Sequence, residues 1–138
     1  MTNGLRYLAM ARKANLAELG EEPVGAAARA GKAYLIIVAA DASDHTWRRA
    51  KSFAAGTEQQ CIRVDAGKDE LGMLVGRTSL AIAAITEPSM ALALVRALEQ
   101  PQRYSAELAV LEEKAERARK RQAEAKAHRR NVRKGKNK

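Results

Sequence analysis

The chain has 138 residues and carries 25 Lys and Arg against 16 Asp and Glu, a formal net charge of +9. A single cysteine excludes an internal disulfide, the first residues lack the unbroken apolar run of a secretory signal, and the apolar run at 34–40 falls far short of the roughly 20 residues of a membrane helix. The expected compartment is therefore the cytoplasm, with no membrane partner.

In chain order, Leu5 to Lys13 predicts a first helix, with Leu5, Leu8 and Arg12 on one face and Asn15 able to end it in a left-handed conformation. Leu16 to Leu19 reads as a short strand or turn. A second helix starts near Glu22-Pro23, where proline suits the first turn, and stops at Gly31. Tyr34 to Ala40 is an unbroken apolar run bounded by Gly/Lys and Asp/Ser clusters, which predicts a strand buried on both faces at the centre of a sheet. Its β-branched residues favour strand over helix.

Asp41, Ser43 or Asp44 can cap a third helix that runs to about Ala55, with Trp47, Ala50 and Ala54 sharing a face, Phe53 nearby and Gly56 as the stop. Trp47 is more readily core than a stacking platform for a ligand. Gln60 to Val64 is a second strand, in which Cys61 reads as a small buried residue rather than a reactive thiol. A short helix from Asp69 to Val75 closes at Gly76. Leu80 to Ile85 is a further strand, and Thr86-Glu87-Pro88 opens a helix that lasts to about Gln100. Strands alternating with helices at this spacing make an α/β fold, a small sheet with helices on both faces.

Charge divides the chain in two. Residues 1–100 hold 12 basic against 11 acidic side chains, and residues 101–138 hold 13 against 5. Such asymmetry points to nucleic acid or another anionic surface. Tyr104, Leu108 and Leu111 continue one apolar helical face and can dock the start of a last helix. From Glu112 onward the only large aliphatic residue is Val132, so a coiled coil is not expected. Glu113/Arg117 and Glu116/Lys120 are spaced to support an exposed helix. The end, with Arg129, Arg130, Arg133, Lys134, Lys136 and Lys138, predicts fraying into a disordered basic tail that contacts phosphates. The expected organisation is a domain over 1–100 followed by a basic helix and tail over 101–138.

Catalytic and metal chemistry find no constellation. Gly25 to Lys32 superficially matches a phosphate-binding loop, but its first glycine is one residue early, Ala33 replaces the Ser/Thr that would hold magnesium, and a strand follows instead of a helix. His45 and His128 have no partner at metal-ligand spacing. Asp41 and Asp44 are explained by helix capping. A non-catalytic protein with no cofactor and no metal is expected.

Several stretches occur together in a telling order: Leu8 to Ala14, Gly20-Glu21-Glu22, Gly31 to Ser43, Leu71-Gly72 with Gly76, and Ala83 to Thr86. Over roughly residues 5–99 the chain resembles the kink-turn RNA-binding ribosomal protein superfamily (the L-seven-Ae and L-thirty-e type), and within it the small bacterial proteins of the YlxQ kind. The resemblance implies a three-layer α-β-α sandwich with a mixed four-stranded sheet. It also implies an RNA surface built from the start of the second helix, here Gly20, Glu21 and Glu22, and the loop before the last strand, here Arg77, Thr78, Ser79 and Leu80. Helix N–H groups would meet phosphates or bases there, and the small-residue loop would pack against splayed bases. Lys32 is a further candidate RNA contact, and a basic stripe around Lys32, Arg77 and the second helix would favour RNA over a protein partner.

Kink-turn binders of this superfamily carry Asn, Glu and a following Lys where this chain has Glu22, Pro23 and Ala26. The resemblance thus carries the fold further than it carries kink-turn recognition. The expected function is that of a non-catalytic, ribosome-associated monomer that binds structured or ribosomal RNA; the alternative is a protein–protein interaction module that uses the same helix-and-loop face.

Overall fold

The computed structural model describes residues 3–136, with side chains described over 4–132. The apolar run predicted as the central strand forms β2 (Leu35–Val38), buried along its whole length. It lies inside a four-stranded sheet of order β1-β4-β2-β3, with β1 spanning Ala17–Leu19, β3 Gln60–Arg63 and β4 Ile82–Ile85. β4 pairs antiparallel with both β1 and β2, while β2 and β3 run parallel, so the sheet is mixed. A parallel pair needs a crossover, and α3 (Asp44–Ala54) supplies it.

A single 3-10 turn, Asn3–Leu5, leads into α1 (Arg6–Lys13), which ends at Asn15 with φ 62° as its sequence suggests. Leu5, Leu8 and Ala11 are the residues it buries; Arg12 is exposed, because the charged side chain yields the core-facing position to Ala11. α2 (Glu21–Arg29) packs on β1, β4 and α3. On the other side, α1 contacts α4 (Lys68–Leu74) and α5 (Pro88–Ala97), and α5 packs along α6 (Ser105–Lys136). The result is the expected α/β sandwich of three layers.

Side-chain caps define three of the helix starts. Ser43 Oγ accepts from the Thr46 N–H at 3.1 Å, and both Glu87 oxygens accept from Ser89 and Met90 N–H groups. Asp41 caps not α3 but α4, its Oδ1 accepting from the Lys68 N–H at 2.8 Å. That cap bridges 27 positions in sequence.

The core does not stop at residue 100. Tyr104, Leu111 and Ala115 are buried in the same cluster as the sheet residues, with Leu108 packed against it. The start of α6 is clamped at both ends of β3. At the Arg63 end, Tyr104 Oη and Arg103 Nη2 both donate to the Arg63 carbonyl, at 3.0 and 2.9 Å, while Arg103 Nη1 donates to Asp65 at 2.8 Å. At the other end, Lys114 Nζ meets Glu58 Oε2 at 2.5 Å. The Arg103 and Gln100 hydrogen bonds hold the Asp65 carboxyl below its ordinary range, and the Lys114 hydrogen bond does the same for Glu58.

Past Ala115, α6 leaves the body and every side chain described from Arg119 to Val132 is exposed. The backbone stays helical through Lys136, beyond the point where the sequence predicts fraying. Alanine, Glu, Gln, Arg and Lys dominate the segment, and all are good helix formers. Glu113 pairs with Arg117 at 2.5 Å as expected, whereas Glu116 reaches Arg119 one turn away instead of Lys120.

Candidate nucleic-acid interface

Strand register sorts the predicted site residues into two ends of the sheet. Val38 pairs with both Ile82 and Arg63, and the Gly20 N–H donates to the Ile82 carbonyl at 3.0 Å. Gly20 and the start of α2 therefore sit at the end where β4 begins and β2 and β3 finish. At the opposite end Leu35 pairs with Ile85 and Gln60. Lys32 stands there, exposed, just beyond the C-terminus of α2. A basic stripe joining Lys32 to Arg77, which would favour RNA over a protein partner, is not formed, since the length of α2, about 14 Å, separates Lys32 from Gly20.

At the Gly20 end the two expected elements do meet. Gly20 holds φ 96°, a conformation that glycine adopts freely and other residues rarely. A Cβ built on it would lie 3.9 Å from Arg77 Nη1, which places the loop after α4 directly beside the N-terminus of α2. No side chain caps α2. The first turn of a helix leaves N–H groups without intrahelical partners; here they are those of Glu21 and Glu22, since Pro23 has none and the Val24 N–H donates to the Gly20 carbonyl, and the exposed Arg77 lies beside them.

The loop is held against α4 by close backbone contact. A Cβ on Gly72 would come within 2.7 Å of the Arg77 carbonyl oxygen and 2.8 Å of the Ser79 nitrogen, so only glycine permits the approach. The Gly72 carbonyl accepts from the Arg77 N–H at 2.8 Å, and the Lys68 carbonyl from the Leu80 N–H at 3.0 Å. This is the physical content of the Leu71-Gly72 and Gly76 spacing. Arg77, Thr78 and Ser79 are left exposed. Leu80 is not: at 3% exposure it anchors the loop in the core, which removes its side chain from the surface the sequence assigned it.

Sequence reasoning missed two residues that set the charge of this face. Arg49 Nε donates to Glu21 Oε1 at 2.7 Å, and His45 Nε2 lies 3.9 Å from the same oxygen. The Arg49 guanidinium rests on the Phe53 ring, 5.0 Å from its centroid. Glu21 is thereby drawn sideways towards α3 and its charge is balanced by Arg49. Glu22, Pro23 and Ala26 are exposed on the outer side of α2. The pairing spans 28 positions between two helices, and no local pattern signals it.

The other readings fall into place as structure. Gly25 to Lys32 is the last part of α2 and its closing turn, with Gly31 and Lys32 N–H groups already given to the Ala28 and Ala27 carbonyls. Trp47 is half-buried between two cations, with Arg63 5.1 Å and Lys51 5.5 Å from its ring centroid. Burial pushes the Cys61 thiol up to about 12, so it remains protonated and unreactive near neutral pH. No group of three or more His, Cys, Asp or Glu residues is placed to hold a metal among the described residues. No helix among them is long and apolar enough to cross a membrane.

Of the tail residues, Arg129 and Arg130 are exposed on α6, far from the Gly20 end. The side chains of Arg133, Lys134 and Lys136, and all of Lys138, lie outside the described residues.

Comparison with known proteins supports the fold. No protein-family model matches the chain, and no curated protein matches it. Among solved structures, a protein of unknown function from Bacillus halodurans superposes with a TM-score of 0.67 at 21% identity, covering 72% of this chain and 100% of that one. A 15.5 kD RNA-binding protein of Giardia lamblia superposes with a TM-score of 0.58 at 16% identity, covering 70% of this chain and 82% of its own.

Proposed function

We propose that this is a non-catalytic RNA-binding protein of the kink-turn ribosomal protein superfamily, of the small YlxQ-like kind. It acts in the cytoplasm as a monomer on structured or ribosomal RNA and uses no cofactor. The observation that carries this reading is the uncapped N-terminus of α2 lying beside the exposed Arg77-Thr78-Ser79 loop. Free N–H groups and a helix dipole favour phosphate, Arg77 adds a guanidinium, and the small loop residues leave room for an unstacked base. The pairing of Glu21 with Arg49 supports the reading, because it turns one of the two acidic side chains away from an incoming anion. The RNA-binding Giardia protein of similar fold supports it as well.

Glu22, Pro23 and Ala26 stand where kink-turn binders carry Asn, Glu and Lys, so this end meets RNA by shape and phosphate contact rather than by reading sheared base pairs. Ultraviolet crosslinking of the full chain to cellular RNA, with mapping of the crosslinked peptides, tests the assignment. Crosslinks are expected at Gly20 to Pro23 and Arg77 to Ser79. Crosslinks confined to residues 116–138 would overturn it.

A second reading has one observation in its favour. Met73, which follows Gly72 in α4, is 81% exposed, and a flexible thioether so exposed suits contact with a protein partner. Replacement Met73→Gln separates the two: it weakens a protein contact and leaves RNA binding almost unchanged.

A further inference from the structure

We infer that the projecting part of α6 is a second nucleic-acid-binding element, aimed away from the first, so that the protein holds two separate nucleic-acid segments at once. This rests on the RNA-binding reading of the Gly20 end. The direction of the arm is set by the two clamps on β3. Tyr104 sits at the Arg63 end of that strand and Lys114 at the Glu58 end, so α6 runs from the Gly20 end of the sheet towards the Lys32 end and leaves the body there. The stretch from Glu116 to Lys136 reaches about 30 Å further. A nucleic acid bound at Gly20 and Arg77 lies on the far side of the body from it.

The chemistry of the arm selects its partner. From Arg117 onward, eleven Lys and Arg residues stand against one acid, Glu124. At about 100° per residue, Arg117, Lys120, Arg121, Lys126, Arg129 and Arg130 are distributed around the whole circumference of the helix. Val132 is the only large aliphatic residue past Leu111. A lipid surface is met by a helix with an apolar face, and a partner helix by an apolar seam; this arm has neither. Charge on every side fits a cleft between two phosphate strands of a duplex, where counterion release drives binding without base readout. The exposed Lys32 and Arg29 at the exit of the arm extend the same basic surface onto the body.

The experiment uses the full chain and two RNAs: a folded stem-loop with an internal kink, immobilised, and a labelled perfect duplex in solution. The variant carries Lys120→Gln, Arg121→Gln, Lys126→Gln, Arg129→Gln and Arg130→Gln, five side chains with no contact to the body. The unaltered protein is expected to capture the duplex on the immobilised stem-loop. The variant is expected to bind the stem-loop within about threefold of the unaltered protein while losing at least tenfold in duplex capture. Duplex binding measured alone, by anisotropy, is expected to fall equally. An unchanged duplex affinity in the variant overturns the role of the arm. Displacement of stem-loop by duplex, with duplex binding still dependent on the five side chains, overturns the two-ended arrangement. Equal binding of the unaltered protein to anionic lipid vesicles with no duplex binding overturns the choice of partner. A variant that loses the duplex and never held the stem-loop counts instead against the reading of the Gly20 end.

Discussion

The two ends of the sheet differ in how they present positive charge. At the Gly20 end the charge is partial and fixed in place: backbone N–H groups at the start of α2, one arginine, and a loop locked by the contact of Gly72 with Arg77 and Ser79. At the Lys32 end it is formal and dense, carried on a helix whose described side chains are all exposed from Arg119 onward. Fixed dipoles discriminate among shapes, while a dense array of cations supplies affinity and follows any polyanion. On the proposed reading, one small chain separates selection from grip and puts them at opposite ends.

The largest effect that would break this comparison is on salt dependence. If the arm neutralises about 5 to 8 phosphates, log affinity of the full chain falls against log salt with a slope of about −4 to −7. Removing residues 117–138 should flatten the slope and weaken binding to duplex RNAs of any base sequence by a similar factor, about tenfold or more, while folded stem-loops lose no more than about threefold. Titrations at several salt concentrations check this, and equal slopes for the two proteins would dissolve the distinction between the ends.

Next in size is the attachment of the arm to the body. Leu111→Ala should destabilise the protein by about 2 to 5 kcal/mol, since it empties a fully buried site between α6 and the core. Chemical denaturation reads the loss. For the same reason, truncation at Gln100 should cost more stability than truncation after Glu116, because only the first removes Tyr104, Leu111 and Ala115.

The third effect sharpens the Gly20 end alone. Glu22→Asn, Pro23→Glu and Ala26→Lys together should tighten binding to a standard kink-turn duplex by about tenfold, or about 1.4 kcal/mol. All three positions are exposed, so the fold should tolerate them. Tight, kink-specific binding before these changes would mean that the end already reads base pairs. Smallest is Arg77→Ala, which should alter preference among folded RNAs while changing the salt slope by no more than about 1. Competition between two folded RNAs measures it.

How much of this was legible in the sequence depended on how local the cause is. The strand at Leu35 to Val38, the left-handed stop at Asn15 and the glycine stops at Gly31, Gly56 and Gly76 are written in a few consecutive residues, and all are present. The docking of Tyr104 and Leu111 followed from helical spacing in the same way. Lys32 was misplaced relative to Arg77 because only the strand order assigns them to different ends. Leu80 was read with its exposed neighbours, although the loop turns it inward. The Asp41 cap of α4 and the Arg49 hold on Glu21 join residues 27 and 28 positions apart, and no pattern in either segment anticipates them.

The two hydrogen bonds that Tyr104 and Arg103 donate to the Arg63 carbonyl have a consequence for solubility. β3 is an edge strand, and the free carbonyl and amide row of an edge is a template for pairing with another molecule. Here one of those acceptors is already occupied by two donors, and the chain that follows lies along the strand as a helix. The opposite edge, β1, is only three residues long. If copies of the protein gather on one polyanion, as the RNA-binding proposal requires, this sheet offers them little on which to stack.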